Sequence, residues 1–175
     1  NKTTQPFFKY ADSAITVTPA ATSGTGITLT ASANTFVSGH NGTYLTIAGK
    51  QVKITGFTSA TQVTITILET LASTSAEADF AEQLISSVRG FPQAVSFHDN
   101  RLWFAGARDK PSAVVASQIG GYFNFDLGTG LANEGINVSI TGDTVNEIRH
   151  LVSSRNLQIF TDSGEFFVPV SSQSA

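Results

Sequence analysis

Five short runs in the first 68 residues alternate aliphatic side chains with threonine or another polar residue, and this period of two constrains the fold more than any other feature of the chain. The runs are Ala14 to Thr18 (AITVT), Ile27 to Ala31 (ITLTA), Thr43 to Ala48 (TYLTIA), Gln51 to Phe57 (QVKITGF) and Thr61 to Leu68 (TQVTITIL). Side chains two apart share one face of a strand, whereas a helix needs its apolar residues three or four apart. Each run therefore predicts a half-buried strand. Gly49-Lys50 predicts a hairpin turn between the third and fourth strands, and Thr58-Ser59-Ala60 joins the fourth to the fifth. Five short strands with tight turns predict a small β barrel or sandwich. The aromatic segment QPFFKY ahead of them reads as an entering stretch that packs on a neighbouring layer.

The composition changes near residue 75. Of the 22 threonines, 18 lie at or before Thr74, while most of the arginines and phenylalanines follow it. Ser75 to Ser87 (SAEADFAEQLISS) contains helix formers with apolar residues at Phe80, Leu84, Ile85 and, just beyond, Val88, and is expected to be a connector with one or two helical turns.

Beyond it, Ala94 to Phe97 and Arg101 to Ala105 (RLWFA) flank His98-Asp99-Asn100, whose turn-forming Asp and Asn tolerate the left-handed backbone, so the segment predicts a tight hairpin. A polar loop, ARDKP, leads into a second apolar strand, Ser112 to Ser117, and Gly120-Gly121 turns the chain toward an expected aromatic strand, YFNF. Strands are expected again over Ile136 to Thr141, Glu147 to Val152, Asn156 to Thr161 and Glu165 to Val170, with turns at Gly142-Asp143, Ser153-Ser154-Arg155 and Asp162-Ser163-Gly164. Trp103 and Phe104 must point to opposite faces of their strand.

The succession RGFP, AVSFH, NRLWFAG, KP, SQIGGYFNF resembles a signature of the tail nozzle proteins of short-tailed phages, the tail tubular protein B family. The matching residues are Arg89, Gly90, Phe91, Pro92, Phe97, His98, Arg101, Leu102, Phe104, Gly106, Pro111, Ser117, Gly120, Phe123, Asn124 and Phe125. The likeness continues through Ile136 to Val168, including Glu165 in SGEFFV, where it implies a following blade, and more weakly back over Phe36 to Leu71. The resemblance implies a virion protein at the distal end of a phage tail. It further implies a homo-oligomer in a hexameric ring, an adaptor ring and tail fibres as partners, and DNA passing through without specific binding.

The chemistry legible in the residues agrees with a structural part and leaves other classes open. Charged residues are 13% of the chain, about half of the roughly 25% usual in globular domains. The net charge is -3, so no basic field holds phosphates and specific nucleic-acid binding is not expected. Cysteine is absent, which excludes disulfides and thiolate chemistry. His40, His98 and His150 show no metal-ligand spacing; no metal, cofactor or catalytic residue is expected. His98 reads as a turn anchor, and Arg89 and Arg101 as partners of Asp99 or Asp109. Asp126, Glu134, Asp143 and Glu165 are acids near loops without a sign of the convergence that glycoside hydrolysis needs. The aromatic set Phe91, Phe97, Trp103, Phe104, Tyr122, Phe123 and Phe125 reads as core, with a sugar-stacking platform as the alternative. No apolar run approaches the roughly 20 residues that span a bilayer, so a soluble chain with no membrane anchor is expected. A first residue of Asn and the lack of methionine suggest a portion of a longer product.

The expected fold is all-β: a small Thr-rich β barrel or sandwich over 1–75, a connector over 76–88, and antiparallel β-meanders resembling propeller blades over 89–175. Two meanders cannot close a propeller, which usually needs four to eight blades, so this part is expected to be incomplete. The function expected first is a structural component of a phage tail. A carbohydrate-binding adhesin module is the alternative, followed by a tail-associated glycan hydrolase.

Overall fold

Alternation governs the observed fold throughout. The structure, a computed structural model, describes residues 3–141 and 146–169 and is all-β; the turn expected at Gly142-Asp143 lies outside the described residues. The chain divides into two units, one formed by Phe7–Val88 and the other by Arg89–Ala175 together with the segment ending at Pro6.

The Phe7–Val88 unit is one seven-stranded antiparallel sheet curled into a half-barrel. Its strands are β1 (Phe7–Phe8), β2 (Val17–Pro19), β3 (Gly24–Ala31), β4 (Tyr44–Ile47), β5 (Lys50–Ser59), β6 (Gln62–Ile67) and β7 (Phe80–Gln83), in the order β1-β7-β4-β5-β6-β3-β2. Val17 and Glu77 exchange both backbone hydrogen bonds at 2.9 Å, which draws β2 to the segment entering β7 and curls the sheet on itself. The aliphatic members of the alternating runs, among them Val17, Leu29, Leu45, Val52, Ile54, Val63 and Ile65, fill its interior with Phe36 and Phe80.

Three expectations are corrected in this unit. The Phe7-Phe8 pair is a strand, not a packing segment, and pairs with β7. The 76–88 connector has no helical turn: Phe80–Gln83 is a strand between β1 and β4, with Phe80 and Glu82 facing inward. Its period of two is hidden because the second inward residue is a glutamate, buried against His40. The turns fall one residue from their expected places. Ile47 pairs with Lys50 around Ala48-Gly49, both with positive φ (46° and 73°), a type I′ geometry, and Ser59 pairs with Gln62 around Ala60-Thr61.

The second unit has two antiparallel sheets. The four-stranded one has the order β11-β10-β9-β8, with β8 Ala94–His98, β9 Arg101–Ala107, β10 Lys110–Ala116 and β11 Ile136–Ser139. The hairpin expected at Asp99-Asn100 is present, with φ of 47° and 59° at its tip and Phe97 opposite Leu102. The polar loop after Gly106 is a two-residue turn, Arg108-Asp109, because β9 runs on to Ala107. The aromatic YFNF is not a strand. It lies in the long loop after β10, and the fourth position in the sheet goes to Ile136–Ser139, which the sequence had suggested for the next blade. Residues 3–6 join this unit instead of the first: Thr4 bridges Asn124 in parallel. The three-stranded sheet is β12 (Ile148–Ser153), β13 (Leu157–Thr161) and β14 (Glu165–Val168).

The two sheets share a core of Trp103, Ala94, Ala105, Val114 and Ala116 from one and Ile148, Leu151, Leu157 and Ile159 from the other. Alanines at the contact let the backbones come close. The limiting case is Gly106, at φ 69°, where a Cβ would lie 2.3 Å from the Ile148 carbonyl oxygen.

Candidate functional site

Three residues of the resemblance, Arg101, Leu102 and Ser117, meet in one hydrogen-bonded frame. Beside the tip of the β8–β9 hairpin, where Arg101 pairs with His98, its side chain is fully buried, and its guanidinium donates to the carbonyl oxygens of Ser117 (2.6 Å), Glu134 (2.5 Å) and Ala132. Burial lowers its pKa from the ordinary arginine value, and the Asp99 carboxylate works in the opposite direction. The anticipated ion pair with an aspartate is thus replaced by carbonyl capture, which ties both ends of the 117–135 loop to the hairpin. The rigid, multi-donor fork of arginine suits several acceptors at once. Arg89 does pair with an acid, Asp109, at 3.6 Å, and accepts the Asp109 N–H through its carbonyl.

The other residues of the set are spread through the unit. Leu102 is buried and its N–H donates to Ser117 Oγ at 3.0 Å. His98 is buried: Nδ1 lies 2.9 Å from Ser153 Oγ on β12, and its carbonyl accepts the Trp103 indole N–H at 3.0 Å. It anchors the turn to the second sheet. Gly90, at φ 93°, sits where a Cβ would come within 2.5 Å of Arg108 Cβ. Phe104 stacks with Phe125, ring centroids 5.7 Å apart, so the face opposite Trp103 is covered by the loop. Asn124 donates from Nδ2 to Gln118 Oε1 at 2.8 Å. Pro111 is half-buried in β10, Pro92 is half-buried before β8, and Phe91 is exposed. Glu165 stands apart, exposed on β14.

The seven aromatics expected to be core divide. Trp103, Phe104 and Phe125 pack inside; Phe91, Phe97, Tyr122 and Phe123 face solvent, with Phe123 73% exposed. Phe97 and Tyr122 meet edge to face at 5.2 Å, and the Tyr122 hydroxyl donates to Asn100 Oδ1 at 3.0 Å. Tyr122 and Phe123 project into a groove of about 470 Å3 whose lining includes Thr3, Gln118, Ile119 and Asn124. A second groove, of about 300 Å3, lies by β13 and β14 and includes Arg155, Gln158, Phe166 and Phe167.

The sequence named Glu134 only as one of four acids near loops and Ser117 only through the resemblance, with no role for either, and did not name Gln118. Glu134 Oε2 accepts the N–H groups of Thr129, Gly130 and Leu131 at 2.7 to 2.8 Å. The Leu131 hydrogen bond is the main cause that holds its pKa below the ordinary value, with desolvation and Asp126 opposing. An acid shortly after the Gly128-Thr129-Gly130 turn was the available signal, since exposed turn N–H groups form an anion-binding nest. Of the other acids near loops, Asp126 Oδ1 accepts the Gly128 N–H at 3.1 Å, and Asp143 lies outside the described residues. Among the described residues no three His, Asp or Glu side chains gather as a metal site.

No protein-family model matches this chain, and no curated protein matches it.

Proposed function

We propose that this chain is a structural, assembling component of a phage tail, of the kind its sequence resembles: a part of the nozzle at the distal end, arranged with copies of itself around the path of the DNA. The observation that carries this reading is the open edge of the three-stranded sheet. Among the described residues β14 pairs only with β13, yet it presents Phe166 and Phe167, 37% and 62% exposed, toward its two faces. An apolar edge of this kind templates pairing or packing with a neighbour. Full burial of a phenylalanine is worth roughly 1.5 to 3 kcal/mol, and covering the part of each ring still exposed contributes a fraction of that. A second support is that the residues of the resemblance serve as scaffold, from the Arg101 carbonyl clamp to the Phe104–Phe125 stack.

Cryo-electron microscopy of the intact parent particle tests this. Density for the chain in a ring at the tail tip is the expected result, and its absence from the particle overturns the assignment. Incubation with capsular or lipopolysaccharide glycans is expected to leave them uncut; reproducible release of reducing ends would favour the hydrolase.

A further inference from the structure

We propose that the groove over residues 118–124 binds an uncharged saccharide, an activity that does not depend on the assembly role. Its volume, about 470 Å3, falls in the roughly 300 to 1,000 Å3 range of small-molecule sites.

The loop holds its rings out in a fixed pose. Gln118 accepts the Gly121 N–H through its carbonyl and donates its own N–H to the Asn124 carbonyl (2.8 Å), while Gly120 donates to the Asn100 carbonyl (2.9 Å). Thr4 N–H donates to the Phe123 carbonyl and Phe125 N–H to the Thr4 carbonyl, so residues on both sides of the aromatic pair are clamped. The Tyr122 ring is fixed twice, by Asn100 and by Phe97. Exposed aromatics on a backbone so constrained cannot turn inward to escape water, and such pre-ordering lowers the entropy lost when a ligand docks.

The chemistry of the lining selects the ligand class. None of the described residues that line the groove carries a charge, which disfavours phosphates and anionic glycans. A ring face with its negative quadrupole attracts the polarised C–H groups on one side of a sugar. The rim supplies hydrogen bonds for hydroxyls. Asn124 commits one amide hydrogen to Gln118 Oε1 and Gln118 commits one to the Asp126 carbonyl, so each side-chain amide keeps a second donor. The Tyr122 oxygen, while donating to Asn100, can still accept.

The test is a saccharide array of uncharged and anionic oligosaccharides, followed by titration of the best-retained one against wild type, Phe123→Ala and Phe91→Ala. Phe91 is an exposed aromatic outside the groove and serves as the control. The expected result is retention of an uncharged oligosaccharide by wild type and Phe91→Ala, and about tenfold weaker binding by Phe123→Ala, the loss of one stacking partner worth roughly 1.4 kcal/mol. Phe123 is 73% exposed, so the thermal midpoint of Phe123→Ala should equal that of wild type. Retention of anionic glycans alone, no retention at all, or unchanged binding by Phe123→Ala overturns the proposal.

Discussion

Two buried or captured carboxylates show how single residues set the stability of their surroundings. Glu134 gathers three N–H groups of its own loop, and its folded-state pKa is depressed below 4.5. A depressed carboxyl stabilises the fold fully above its unfolded value and loses that contribution as pH falls through the folded one. The stability gap between wild type and Glu134→Gln, followed by urea unfolding with the single tryptophan as reporter, should therefore be largest near neutrality. It should close as pH drops below about 4.5; a gap that does not change with pH would show that the nest does not titrate. In the other unit His40 Nδ1 lies 2.9 Å from the Val37 N and Nε2 lies 3.0 Å from Glu82 Oε2, both side chains being buried. Removing one member of a buried polar pair costs about 3 to 5 kcal/mol, whereas replacing both with apolar residues is often close to neutral. Calorimetry should accordingly show His40→Leu strongly destabilised and His40→Leu/Glu82→Leu recovering most of the loss; equal midpoints for the two variants would count against the pair.

At the scale of elements, turns and close approaches decide which strands pair. The Ala48-Gly49 turn asks an alanine to adopt φ 46°, a conformation in which asparagine is far more at ease. Ala48 is exposed and its N–H donates to the Asp79 carbonyl, a bond any residue there retains. Ala48→Asn should stabilise the first unit by up to about 1 kcal/mol, read as a raised midpoint in chemical denaturation. In β9 the reverse holds. Gly106→Ala places a methyl 2.3 Å from the Ile148 carbonyl in a positive-φ backbone, and should cost more than about 1 kcal/mol and separate the two sheets. Tryptophan fluorescence reports this directly, because Trp103 is fully buried in the shared core; an unshifted emission maximum would mean that the sheets accommodate the methyl. The element the residues disguised best is β7. Its inward Glu82 breaks the apolar alternation, and its burial goes with a pairing to His40, 42 positions away.

For the whole molecule, the consequential feature is the edge that, among the described residues, is left open at β14. Phe167 is 62% exposed beside the half-buried Val168. Charged side chains, lysine above all, are how proteins blunt such edges. Phe167→Lys should reduce concentration-dependent self-association in light scattering while leaving the unfolding free energy within about 0.5 kcal/mol of wild type, as expected of an exposed position. Undiminished association would shift attention from this edge to the aromatic groove around Phe123.

What the sequence by itself determined are the properties that depend on neighbours in the chain. The period of two in TQVTITIL and ITLTA and the turn propensity of Asp99-Asn100 are local, and they were enough for the all-β class and the central hairpin. The opposite faces of Trp103 and Phe104 follow from strand geometry alone. Tertiary structure decided whatever required one distant group to satisfy another. YFNF has every residue type of a strand, yet its backbone hydrogen bonds go to Gln118, Gly121 and Thr4, and Ile136–Ser139 takes the place beside β10. Arg101 had two aspartates within reach in the sequence, but it lies in a fully buried site where the carbonyls of Ser117, Ala132 and Glu134 converge on its guanidinium. An aromatic side chain carries no mark of whether it will be inside or out; Phe125 is buried where it stacks on Phe104, whereas Phe123, in the turn at 122–123, is exposed.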